Sequence, residues 1–129
     1  MKSSIIYYGI IPLGGSKMND YIINFLKEIM AIDSPSGYTK EVIHHCQKEA
    51  ENLGFHTHQT NKGNLEIYVE GQDDYTVGFC GHVDTLGLMV RSIKSDGTLA
   101  FTNVGGPIIP TLDGEYCRIH TRSGKCYTG

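Results

Sequence analysis

Apolar residues recur along this chain with two different periods, and the change from one to the other locates its elements. Ile22, Phe25, Leu26, Ile29 and Met30 fall at three- and four-residue spacing, which predicts an amphipathic helix. Asn19-Asp20 supply N-cap chemistry at its start. Asp33-Ser34-Pro35-Ser36-Gly37 is turn chemistry that ends it near Ile32, because Pro35 disfavours helical geometry at Ser34. Val42, Ile43, Cys46, Ala50 and Leu53 mark one side of a second helix, and Gly54 is its stop. Beyond Gly54 the period drops to two. Residues 55–60 form a strand, Asn61-Lys62-Gly63-Asn64 a turn, and Leu65, Ile67 and Val69 alternate with polar neighbours as a half-buried strand should. Residues 75–80 are apolar enough to predict a strand buried on both faces of a central sheet.

From residue 86 onward the pattern is one of hairpins. Residues 86–93 and 98–102 flank Lys94-Ser95-Asp96-Gly97, and Asp-Gly suits the primed turns that match strand twist. Gly105-Gly106-Pro107 breaks the chain, and residues 115–121 and 125–127 flank a second turn at Arg122-Ser123-Gly124. The switch near residue 85 divides an α/β piece from a β-rich piece. Neither looks finished: the first has two or three strands without helices to cover them, and the second stops inside a hairpin, as a truncated chain would.

Composition narrows the function classes. With 129 residues, 40% apolar and 19% charged, the chain belongs among globular domains. Sixteen glycines between short apolar runs agree with many strands and tight turns. A formal charge of −3 with no basic stripe argues against a nucleic-acid partner. No run reaches the ~18 apolar residues of a membrane span, so no membrane role is expected. Cys46, Cys80, Cys117 and Cys126 form no C-x-x-C pair. Cys46 and Cys80 read as buried, reduced thiols, which fits a cytoplasmic address. Residues 1–17 are read as a leader outside the fold, with Met18 as the natural start. A short secretory signal is the alternative, weakened by Pro12 within its apolar run.

The candidate chemistry lies at Gly81-His82-Val83-Asp84, at the carboxyl end of the expected central strand, where ligands of α/β sheets bind. His82 and Asp84, two apart on extended backbone, point to the same side. The pair can be a structural hydrogen bond, or a metal-binding imidazole steered by a carboxylate. Other candidates carry less. His44-His45 are adjacent on a helix and cannot easily share one ion. His56 and His58 face one side of a strand without a third ligand nearby, so exposed or cross-strand-paired roles are expected. His120 reads as a surface residue, Glu66 and Glu70 as solvated, and Asp33 as a turn cap. No phosphate loop, dinucleotide fingerprint, H-E-x-x-H or G-x-S-x-G is present.

The stretch from Gly81 to Val90 closely resembles the glutamyl and deblocking aminopeptidases that assemble into tetrahedral particles, a family often labelled endoglucanase or cellulase M. Ser34-Pro35-Ser36-Gly37 with Glu41, Gly63-Asn64-Leu65, and Asp96-Gly97 leading to Val104-Gly105-Gly106 and then Arg122-Ser123-Gly124-Lys125 agree with that family in order and spacing. The resemblance runs from about Met18 to Gly129. It implies the N-terminal part of a zinc-exopeptidase-like α/β/α catalytic domain over residues 18–85. Residues 86–129 would then begin an inserted β-rich dimerisation domain. It also implies a two-metal exopeptidase using zinc or cobalt, which polarises the scissile carbonyl and activates water to remove N-terminal residues from peptides. His82 would bind one metal and Asp84 would orient its imidazole without binding. The remaining ligands and the general base of the family fall beyond residue 129, so an inactive fragment is expected. Homo-oligomers, dimers building up to a dodecamer, are implied for the complete enzyme. A related zinc exopeptidase or deacylase with the same His-x-Asp, and a non-catalytic assembly module, are the rival readings. The cellulase label has no support, because no glycosidase-like carboxylate pair can be argued.

Overall fold

The computed structural model describes residues 15–72 and 74–129, and these fall into two units divided after Ile32. In the first unit, α1 spans Gly15–Ala31. It begins four residues before the Asn19-Asp20 cap that the sequence suggested. Ser16, Lys17 and Met18 contain no helix breaker, and each residue added to an existing helix contributes a hydrogen bond at little cost. Residues 15–17, read as leader, are therefore helical. Residues 1–14, where the signal-like run lies, are outside the described residues. Tyr21 and Phe25 stack along α1 with ring centroids 6.3 Å apart. Its apolar stripe of Ile22, Leu26 and Met30 is exposed.

The second unit opens with the turn at Pro35, where the Tyr38 amide donates to the Pro35 carbonyl at 2.7 Å. Helix α2 then runs Lys40–Asn52. Its buried side chains are Val42 and Ala50, two turns apart on one face. Gly54 ends it as the spacing predicted: its φ of 86° is left-handed, and the next amide, Phe55, folds back onto the Ala50 carbonyl at 2.9 Å. The chain enters β1 (His56–Gln59), which pairs antiparallel with β2 (Leu65–Tyr68). Helix α2 packs on this hairpin, and polar contacts help to hold it there. Gln47 donates to the Thr57 hydroxyl at 3.2 Å, and that hydroxyl donates to Glu51 at 2.8 Å. Cys46, on the same helix, is half-buried, and burial pushes its thiol up from the usual value.

Strands β3 (Gly87–Ile93) and β4 (Leu99–Val104) form the longest hairpin, with a register shift between Val90 and Ser92. Its turn is not a primed two-residue one. Such a turn of the Asp-Gly type needs positive φ at both central residues. Here Gly97 is left-handed at 86° while no non-glycine residue among those described has positive φ. The loop is wider, closed by Lys94 N–H to Thr98 O at 2.8 Å. Asp96 accepts from the Thr98 amide and hydroxyl at 2.9 and 2.7 Å, and this solvates its charge and holds its carboxyl below the usual range. A 3-10 turn over Ile109–Leu112 follows, which no periodicity announced. Strands β5 (Arg118–His120) and β6 (Cys126–Thr128) make the last hairpin.

Among the described residues three two-stranded sheets therefore replace the expected central sheet, giving a small mixed helix and strand fold compatible with the α/β class. The chief correction concerns residues 75–80. They form no strand, Phe79 is 94% exposed, and Tyr75, Val77 and Cys80 are exposed as well. A doubly buried strand needs neighbours on both edges and a layer on each face, and the described residues supply neither. The same lack of cover leaves Ile67 of β2 exposed, against its predicted half-burial. No helix among the described residues is long and apolar enough to cross a membrane.

Candidate functional site

His82 and Asp84 lie on a loop that is zipped to the turn after α1. Pro35 and Thr85 form a parallel bridge, and the Thr85 amide donates to the Ser34 carbonyl at 2.8 Å. Ser34 is completely buried, and its hydroxyl donates to the Val83 carbonyl at 3.0 Å. A serine suits this position because its own buried hydroxyl needs an acceptor, and the Val83 carbonyl between the two site residues supplies one. The backbones come close enough that a Cβ on Gly87 would stand 2.6 Å from the Pro35 Cβ, so only glycine fits there without displacement.

The site side chains follow from this frame. The His82 Nδ1 lies 3.1 Å from Asp84 Oδ1 and 3.2 Å from the Asp84 carbonyl oxygen. Both partners are acceptors once Asp84 is ionised, so Nδ1 carries the proton and the lone pair sits on Nε2. The side chain is 85% exposed, and among the described residues Nε2 has no hydrogen-bond partner. The other carboxylate oxygen, Oδ2, accepts from the Ser36 hydroxyl. That bond, more than the nearby His82, holds the Asp84 carboxyl below the usual carboxylate range.

The sequence model of the M42 glutamyl aminopeptidases matches residues 63–129, more than half of the chain and including the His82 loop. The chain belongs to the M42 glutamyl aminopeptidase family. It is also 40% identical over 108 residues to the Bacillus subtilis (strain 168) protein named "Putative aminopeptidase YhfE". That match covers 83% of this chain and 31% of the relative, so the chain spans about a third of the relative's length.

Within this M42 chain the remaining candidates separate clearly. His56 faces Tyr68 across the β1–β2 ladder, with ring centroids 5.9 Å apart, and His58 stands opposite Glu66 in the register, so both hold the cross-strand positions expected of them. His120 is a surface residue, as expected, whereas Asp33 differs from its expected role: among the described residues it caps no turn and bonds β5 instead. His120 Nε2 lies 2.7 Å from Asp33 Oδ2, Arg118 donates to Asp33 Oδ1, and Tyr38 packs on the His120 ring at 5.2 Å. Residues 85 and 87 positions apart in sequence are thus brought together, and no local pattern signals such a pair.

A metal ion is tested by the donors present. His82 offers one nitrogen with a free lone pair, while each Asp84 oxygen already accepts one hydrogen bond, from His82 and from Ser36. Among the described residues no group of three or more His, Cys, Asp or Glu could hold an ion. A tetrahedral site needs three or four protein ligands. The described residues thus fit as the source of one ligand and not as a metal site, and no catalytic step follows from them alone.

Proposed function

We propose that this chain is the N-terminal part of a metal-dependent aminopeptidase that removes N-terminal residues from peptides. In this reading residues 18–85 belong to the catalytic domain and residues 86–129 begin an inserted β-rich domain. Two divalent ions, zinc or cobalt, would supply charge stabilisation and water activation in the complete enzyme. His82 gives one of them its Nε2. Asp84 keeps the proton on Nδ1 and the ring turned outward, as the partner of a metal-binding histidine commonly does. The observation that carries the reading is the state of His82, capped on one nitrogen by Asp84 and open on the other, within a family-matched segment. Homo-oligomeric assembly belongs to the same proposal, as does a reducing, cytoplasmic setting, which the four free cysteines support.

The test uses a full-length enzyme carrying this sequence, assayed with glutamyl and leucyl anilides beside metal analysis. His82→Ala is expected to lose about one metal equivalent and nearly all turnover. Asp84→Asn should lower metal affinity or rate by roughly 10–100-fold, the usual effect of removing such a partner. Parental metal content and rate in both variants would defeat the reading. The 129-residue chain by itself is expected to show neither stoichiometric zinc binding by calorimetry nor turnover.

A further inference from the structure

The Asp84 carboxylate is held from two directions by different parts of the chain. Oδ1 accepts from the His82 ring, and Oδ2 accepts from the Ser36 hydroxyl 48 residues earlier. A carboxylate gripped through one oxygen still swings about its terminal torsion, which is broad and shallow. A bond to the second oxygen fixes the plane of the group and with it the direction of the Oδ1 lone pairs.

Ser36 is well supported for this task. Two residues before it, buried Ser34 pins the turn to Val83 and Thr85. One residue further back, Asp33 is held by Arg118 and His120 of β5. Just after it, Gly37 takes the left-handed conformation, with φ at 87°, while Tyr38 N–H closes the turn onto Pro35. The hydroxyl is therefore delivered by a turn anchored on both sides, as precise placement of a neighbouring group requires.

We propose that Ser36 is a positioning residue for His82, acting through Asp84 to hold the ring tautomer that leaves Nε2 open to a ligand. The proposal rests on the reading of His82 as ligand and Asp84 as its partner. Serine suits the position because an ionised carboxylate is acceptor-only and needs an O–H or N–H against it. Ser36 is exposed, so its bond competes with water and adds little to stability. Its consequence is orientation, which a purely structural serine would leave unchanged.

The tautomer can be read directly in the metal-free, nitrogen-15-labelled 129-residue chain. Long-range proton–nitrogen correlations at about pH 8.5, where imidazole is neutral, distinguish the two forms. The parent should show mainly the Nδ1–H form of His82. Ser36→Ala should lower the ratio of Nδ1–H to Nε2–H by roughly two- to tenfold, the scale of one exposed hydrogen bond. Ser36→Thr, which keeps the hydroxyl, should restore it. An unchanged ratio in Ser36→Ala beside a lowered one in Asp84→Ala would overturn the role of Ser36 and leave that of Asp84 intact. A parent in the Nε2–H form, or no change in either variant, would overturn both. Should Ser36→Ala not fold, Ser36→Cys takes its place: an intermediate ratio supports the proposal, and the parental ratio overturns it.

Discussion

The loop holding His82 and the segment just before it, residues 75–80, are neighbours in sequence with opposite fates. The loop is fastened to residues 34–36 by a backbone bridge, a buried serine and a hydroxyl–carboxylate bond. The segment is apolar, lies in no strand and exposes Phe79 almost completely. The difference is one of valence. A hydrogen-bonded junction needs one specific partner for each group, and a short turn 48 residues away supplies them. An apolar strand gains its stability from area, through layers on two faces, and a unit of hairpins with a single helix has too little surface to give.

Adding one carbon to the junction is the most direct way to break the comparison. Gly87→Ala sets a Cβ against the rigid Pro35 ring at 2.6 Å. Removing glycine from a strand would otherwise help by roughly 0.5–1 kcal/mol, but overpacking costs about 1–3 kcal/mol and should win. A lower denaturant midpoint, with faster amide exchange at Thr85, is the expected outcome. An equal or higher midpoint would mean that the two backbones are not in contact.

A smaller loss is expected from Asp33→Ala, which frees Arg118 and His120. All three partners are partly exposed, so solvent screening limits the loss to about 1 kcal/mol or less. The informative measurement is a double-mutant cycle with Arg118→Ala. Strict additivity would show that the pair contributes nothing to holding β5 against the turn.

Acid offers a gentler probe, at the β3–β4 turn. Thr98 lowers the folded-state pKa of Asp96, so the bond's contribution is fully present above the unfolded aspartate value of about 3.9. It is lost as the pH falls below that value and through the depressed folded one. Protection of the Thr98 amide should therefore decline only at a pH below about 4, and Asp96→Asn should flatten that dependence. Decline at a higher pH would contradict the sign.

The least effect should come from the exposed segment. Phe79→Ser removes an almost fully exposed ring and should shift stability by no more than about 0.5 kcal/mol in either direction. Concentration-dependent association should fall at the same time, because a large exposed apolar side chain is removed from solvent. A loss of several kcal/mol would place Phe79 in a core and restore the buried strand that the apolar run suggested.

Much of this chain was legible from local pattern alone. The second helix stops where Gly54 requires it, and three hairpins form about their glycine turns. His82 and Asp84 meet because alternate residues of an extended chain share a side. These features depend on residues only a few positions apart, whose geometry the backbone carries by itself. Tertiary structure decided what no window of sequence contains: the burial of Ser34, the bond from Ser36 to Asp84, and the joining of Asp33 to Arg118 and His120. It also decided the fate of residues 75–80, since hydrophobicity states that a strand would favour burial and only the surrounding elements determine whether there is anything to be buried against.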